Sequence, residues 1–100
     1  MPDNTIRCHI AGIKFREGAG AHLLAMSPGM PLTLEAEDDN EYDPTAVRVL
    51  HDGFQIGYVP AFLSAKVTRL LEAGAINGAV YEGEKAIAIT YHEDEAVAPV

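Results

Sequence analysis

Three polar side chains in one short turn are the residues of this sequence best suited to binding chemistry: Asn40, Tyr42 and Asp43. An amide, a phenol and a carboxylate stand there within four residues, directly before the strand-like segment 46–50. Together they offer both hydrogen-bond donors and acceptors. This combination suits a small polar pocket at the rim of a β-barrel better than it suits a solvated loop.

Each of these side chains also has a purely structural interpretation. Asp43 precedes Pro44, and an aspartate there commonly organises a turn through its own backbone. It can also accept a hydrogen bond from a ligand hydroxyl, and one residue can do both. For Tyr42 the sequence favours a place in the core, with the pocket wall as the alternative. For Asn40 it favours a turn role that needs no ligand.

The acidic run around this turn does not have the pattern of a metal site. A calcium loop needs a glycine at its sharp turn, and segment 35–43 contains none. We therefore expect no bound metal, and a solvated loop is the simplest interpretation. Alternatively, the run mimics a phosphate backbone and attracts a basic partner protein. Its acids are Glu35, Glu37, Asp38, Asp39, Glu41 and Asp43.

Residues typical of enzymes occur here without the spacing that catalysis requires. The four histidines are scattered and show no metal-ligand pattern, and neither Ser27 nor Ser64 stands in a nucleophile elbow. Cys8 falls on the inward side of an alternating segment, where a thiol is usually inert packing. No phosphate-binding or dinucleotide-binding glycine motif is present. The sequence thus predicts a non-enzymatic domain without a cofactor.

Charge and composition limit both the partners and the location of the protein. The chain has 100 residues, a formal net charge of -8 and only seven Lys or Arg residues. Contact with nucleic acid should therefore be weak and salt-sensitive. No apolar segment approaches the length of a membrane span, and no signal peptide is visible. With one cysteine, we expect a cytoplasmic protein that contacts no membrane.

The elements that position these residues are short strands and one clear helix. Apolar residues recur at helical spacing between Pro60, the predicted first helical residue, and Gly74, the predicted stop. One or two further helical turns are expected at 21–26. Alternation and turn residues predict six strands. They are expected at 5–13, 31–37, 46–50, 54–59, 79–81 and 86–91.

These elements indicate one domain, residues 1–92, followed by a flexible acidic tail, residues 93–100. Six short strands with one well-defined helix suggest a closed or nearly closed β-barrel. A two-layer α+β sandwich is the alternative, and periodicity alone does not decide between them.

Two adjacent segments resemble the HIRAN domain family. They read NEYDPTAVRV at 40–49 and GFQIGYVP at 53–60. The family pattern is roughly N-x-Y-D-x-x-A-[IV]-x-V followed by G-x-x-[IV]-G-[YH]-[VL]-P. HIRAN domains precede certain SWI/SNF-type DNA translocases and also occur as free-standing bacterial and phage proteins. The resemblance implies an OB-like six-stranded barrel with one or two short flanking helices, which favours the barrel over the sandwich.

The resemblance also implies a set of DNA-binding residues. In DNA-binding members the acid that matches Asp43 contacts the free 3′-hydroxyl of a single strand. Lys14 and Phe15 match a dipeptide whose basic residue holds phosphate and whose aromatic residue stacks on the terminal base. Lys14 replaces the usual Arg and loses its bidentate geometry. Arg16 stands where those members have a second aromatic, and Tyr58 would close the pocket wall.

The sequence therefore predicts a module that binds single-stranded or end-bearing DNA in repair or stalled-fork processing. A helicase, translocase or nuclease would be its partner protein. The alternative is a protein-interaction or adaptor domain that uses its acidic surface and binds DNA weakly or not at all. The predicted binding residues are Lys14, Phe15, Arg16, Asn40, Tyr42, Asp43 and Tyr58.

Overall fold

Residues 4–92 are the part of the chain that the computed structural model describes, and within them lie six strands and two α-helices. A single 3₁₀ turn at Ile13–Phe15, which we call the rim turn, follows the first strand. The helices are α1 (Ala19–Leu24) and α2 (Ala61–Glu72). The strands are β1 (Asn4–His9), β2 (Pro31–Ala36), β3 (Val47–His51), β4 (Phe54–Tyr58), β5 (Ile76–Gly83) and β6 (Ala86–Tyr91).

The strands form one antiparallel sheet in the order β1-β6-β5-β2-β3-β4. This sheet curls until its two ends meet. Ala11, just after β1, bridges to Tyr58 at the end of β4, with nitrogen–oxygen distances of 2.8 and 2.9 Å. We call this contact the seam. A sheet whose edges meet is a barrel, so the predicted six-stranded barrel with flanking helices is confirmed, and the sandwich alternative is wrong.

Gly57 allows the seam to close. A Cβ atom at this position would lie 2.4 Å from Cγ2 of Ile10 and 2.5 Å from the carbonyl oxygen of Ala11. Both distances are shorter than van der Waals contact, so the chain after β1 can approach β4 only where β4 has no side chain. A register shift in the β3–β4 ladder between Val49 and Leu50 adds to the bend of the sheet.

Apolar side chains from both helices and all six strands fill or cap the barrel. Period-two alternation puts Ile6 inside and Arg7 and His9 outside on β1. Helix α2 contributes Val67 and Leu70, which are both fully buried. The largest fully buried side chains are Ile56, Leu70, Ile87, Ile89, Val47, Val49 and Val67.

Several element boundaries differ from those predicted. Strand β1 ends at His9 instead of residue 13, because Gly12 takes a left-handed conformation (φ 75°) and starts the rim turn. Strand β5 is longer than predicted. Pro60 precedes α2 with extended backbone (ψ 144°) instead of being its first residue. Gly74 ends α2 as expected, with φ 69°.

The helical turns predicted at 21–26 form α1, shifted toward the N-terminus. The hairpin predicted at 51–53 is confirmed, with Asp52 and Gly53 both at positive φ as a type I′ turn requires. The predicted tail, residues 93–100, lies outside the described residues. Within residues 4–92, no helix is long and apolar enough to cross a membrane.

Candidate functional site

A cavity of about 220 Å³ opens at the seam, where the 37–46 loop, β4 and the first residue of α2 meet. Four of the seven predicted binding residues line it: Asn40, Tyr42, Asp43 and Tyr58. The remaining wall is mainly small and apolar. It consists of Ala11, Gly12, Ala46, Val59 and Ala61.

The carboxylate of Asp43 joins this loop to α2. Its Oδ1 accepts hydrogen bonds from the backbone N–H of Thr45 (2.8 Å) and the Thr45 hydroxyl (2.7 Å). Its Oδ2 lies 2.9 Å from the hydroxyl of Ser64. The Ser64 hydroxyl also lies 2.9 Å from the carbonyl of Ala61, but an ionised carboxylate is the stronger acceptor. Asp43 therefore organises the turn, as the sequence suggested, because its side chain binds the backbone N–H two residues further along the chain.

These hydrogen bonds also fix the protonation state of Asp43. The Thr45 hydroxyl, then the Thr45 N–H and the Ser64 hydroxyl, lower the pKa of Asp43 below its ordinary value. The group is consequently an ionised acceptor at neutral pH. A carboxylate has about four lone-pair sites, and three are occupied here. Among residues 4–92, one lone-pair site on Oδ2 therefore has no donor.

The side chain of Asn40 holds the loop in shape. Its Oδ1 accepts hydrogen bonds from the backbone N–H groups of Tyr42 and Asp43, both at 2.9 Å. Its Nδ2 donates to Oε1 of Glu37 at 2.8 Å. The amide oxygen is thus occupied by the chain itself, which agrees with the turn role that the sequence favours for Asn40.

Glu37 supports the site without lining the cavity. The sequence showed it only as one acid of the 35–43 run, with no individual role in binding. Its Oε1 accepts hydrogen bonds from Asn40 and, at 2.8 Å, from the Tyr58 hydroxyl. These two bonds, then the charges of Arg48 and Arg16, lower the pKa of Glu37. The glutamate orients the Tyr58 ring on the cavity wall and ties the loop to β4.

Tyr42 is not in the core, so the favoured interpretation of that residue is wrong. Its side chain is 90% exposed and stands at the cavity wall. The physical reason is the Asn40 turn, since one amide oxygen binds two successive N–H groups and turns residue 42 away from the barrel. Ala46 and Val47, both buried, occupy the interior instead.

Lys14, Phe15 and Arg16 do not line the cavity. Lys14 and Phe15 lie on the rim turn, which begins next to the cavity-lining Gly12, and Arg16 follows it directly. Phe15 is 81% exposed, and Nζ of Lys14 lies 5.2 Å from its ring centroid. Arg16 is close enough to Glu37 to lower its pKa. The cationic-aromatic residues thus adjoin the cavity without forming its wall.

The model of the HIRAN domain family matches residues 3–95. The chain belongs to the HIRAN domain family. Its fold is similar to the crystal structure of the HIRAN domain of human HLTF, with a TM-score of 0.76 and 17% identity over 93% of this chain and 78% of that one. HIRAN domains are generally nucleic-acid-binding modules.

A second similar structure is the crystal structure of a structural-genomics protein from Lactobacillus plantarum. It has a TM-score of 0.68 and 17% identity, and the match covers 91% of this chain and 100% of that one. Among curated proteins, no sequence matches this chain significantly. At this level of identity the two structures establish the shared fold, and the OB-like barrel implied by the sequence resemblance is confirmed.

The lowered pKa values of Glu37 and Asp43 make the stability of the fold depend on pH in the acid range. A carboxyl group whose pKa is lower in the folded state stabilises the fold fully above its unfolded pKa. That stability is lost as the pH falls through the folded pKa. We therefore expect the melting temperature to fall steeply below about pH 4, with part of the fall due to Glu37 and Asp43.

Melting curves of Glu37→Gln between about pH 7 and pH 2 test this expectation. Glutamine keeps an oxygen that can accept from Tyr58 and Asn40 but does not titrate, so the acid fall should become shallower. Glu41→Gln is the matched control, because Glu41 is an exposed acid of the same loop. Identical curves for wild type and Glu37→Gln would contradict the role given to Glu37.

Proposed function

We propose that this HIRAN domain binds the 3′ end of single-stranded DNA at the cavity beside the seam, without catalysing a reaction. The observation that carries the proposal is the ionised carboxylate of Asp43, which has one open acceptor site. An exposed aromatic ring, Tyr42, stands at the same cavity. Family membership supports a DNA-binding role in general.

The chemistry of Asp43 favours a hydroxyl over a phosphate. An ionised carboxylate accepts a hydrogen bond from a terminal hydroxyl, but it repels a terminal phosphate. Glu37, also ionised, lies in the same loop and adds to that repulsion. A cavity of about 220 Å³ is below the usual ~300–1,000 Å³ of small-molecule sites, which suits the end of a strand better than a whole ligand.

Residues of the rim turn and its neighbour Arg16 would hold the strand outside the cavity. Lys14 and Arg16 would contact phosphates, while Phe15 and Tyr42 would stack on bases. These two phosphate contacts would contribute only about -1.4 to the slope of log K against log salt. With a net charge of -8, the affinity should be low and best measured at low salt. The cellular role would be DNA repair or stalled-fork processing beside a helicase, translocase or nuclease.

Fluorescence anisotropy with matched oligonucleotides that end in a 3′-hydroxyl or a 3′-phosphate tests the proposal. Wild type should bind the hydroxyl end at least about tenfold more tightly. Asp43→Asn should reduce this preference, because asparagine keeps the size and an acceptor oxygen but removes the charge. Equal affinity of the wild type for both ends, or no binding to either, would reject the end-binding function.

The exposed carboxylates of the 37–46 loop favour a second function. Asp38, Asp39 and Glu41 are all exposed and would attract a basic protein surface. Capture of a basic partner protein after nuclease treatment, together with no measurable oligonucleotide binding, would support this adaptor function instead of DNA binding.

A further inference from the structure

Helix α2 begins at the cavity and carries an exposed face that has no role in the site described above. Ala61 lines the cavity, and the next residue, Phe62, is 84% exposed. Lys66 and Arg69 are also exposed and follow Phe62 by four and seven residues. At ~3.6 residues per turn, these three positions share one side of the helix. We call them the α2 stripe.

The chemistry of the α2 stripe contrasts with that of the whole protein. Although the net charge is -8, neither Lys66 nor Arg69 has a carboxylate within 4.0 Å among residues 4–92. The acid within α2 is Glu72, at the end far from the cavity. Nζ of Lys66 lies 5.3 Å from the ring centroid of Tyr91.

The segment 14–16 repeats this combination beside the same cavity. It carries an exposed phenylalanine, Phe15, and two cations, Lys14 and Arg16, which also lack a carboxylate within 4.0 Å in the described part of the chain. Arg7 and Arg48, by contrast, are ion-paired with glutamates. Among residues 4–92, therefore, four of the five cations without a carboxylate partner lie in α2 or in segment 14–16, which adjoin the cavity. The fifth is Lys85.

We propose that the α2 stripe binds the nucleotides that precede the terminal one and guides the single strand away from the cavity. This inference rests on the proposed function. Phe62 would stack on a base, while Lys66 and Arg69 would contact backbone phosphates. From Phe62 to Arg69 the helix axis advances about 10 Å. That length matches about three stacked nucleotides at about 3.4 Å each.

The double variant Lys66→Gln/Arg69→Gln tests this path, with an oligonucleotide of about twelve nucleotides as the probe. Loss of two phosphate contacts should make the slope of log K against log salt less negative by about 1.4. Phe62→Ala should weaken binding about fivefold or more. Both variants should keep the wild-type preference for a 3′-hydroxyl over a 3′-phosphate, because Asp43 is unchanged.

Lys85→Gln is the matched control. Lys85 is exposed and has no carboxylate within 4.0 Å among residues 4–92, but it lies between β5 and β6 and does not line this cavity. Its slope should equal that of the wild type. If the wild type binds and the α2 variants match it in both slope and affinity, the α2 stripe is not part of the path. If the wild type binds neither end, the proposed function itself fails.

Discussion

Replacing Gly57 with alanine should destabilise the domain by about 3 kcal/mol, near the upper end of the usual cost of overpacking. The added methyl group would meet the Ala11 carbonyl oxygen at 2.5 Å and Cγ2 of Ile10 at 2.4 Å. The carbonyl belongs to the seam itself, so it cannot move without breaking the bridge between Ala11 and Tyr58. For a domain of this size, the melting temperature should fall by roughly 12 to 24 °C.

Gly20→Ala is the matched control for this experiment. Gly20 lies in α1, and a Cβ atom there would have no heavy atom within 4 Å. Alanine in a helix is favoured over glycine by roughly 0.5–1 kcal/mol, so this variant should melt at or slightly above the wild-type temperature. If Gly57→Ala melted like the wild type, the close approach at the seam would not be what keeps the barrel closed.

Replacing Phe15 and Tyr42, two exposed aromatic residues at or next to the cavity, should have the largest effect on DNA binding. Stacking of a base on an aromatic side chain contributes about 1–3 kcal/mol. Phe15→Ala and Tyr42→Ala should therefore each weaken binding by about fivefold to a hundredfold, and the double variant should show no measurable affinity. Because the side chains are 81% and 90% exposed, the free energy of unfolding should change by no more than about 0.5 kcal/mol.

Two controls separate stacking from general surface effects. Phe15→Tyr and Tyr42→Phe keep the rings and should retain most of the affinity. Leu24→Ala removes a side chain that is equally exposed, at 90%, from α1, which does not line this cavity. If Phe15→Ala and Tyr42→Ala bound DNA as tightly as Leu24→Ala does, base stacking at this site would be disproved.

The sequence predicted the parts of the structure that short-range patterns determine. Alternation located the strands, the turn at Asp52–Gly53 located a hairpin, and Gly74 ended a helix. The turn residues Asn40, Tyr42 and Asp43 suggested a polar pocket. The resemblance to the HIRAN family added Tyr58, and all four residues line the cavity. The strands, the hairpin and the helix end depend on residues close together in the chain, which periodicity and turn chemistry describe well.

Long-range contacts explain what the sequence did not predict. The seam joins residues 11 and 58, and no local pattern shows that the two sheet edges meet. Glu37 bonds to Tyr58, and Ser64 bonds to Asp43, each across 21 residues. For the bond between Ser64 and Asp43, the local sign in the sequence was a small polar residue on the buried face of α2. Tyr42 was misplaced because the Asn40 turn, and not hydrophobicity, sets its direction.

The most direct test of the central claim is a titration of ¹⁵N-labelled protein with a 3′-hydroxyl oligonucleotide, followed by amide chemical shifts. If the cavity at the seam binds the DNA end, the amides of Gly12, Tyr42 and Ala61 should shift most. The amides of Gly20 and Gly83, which line a separate cavity between α1 and the β5–β6 turn, should remain unchanged. Shifts confined to that second cavity, or no shifts at saturating oligonucleotide, would contradict the account.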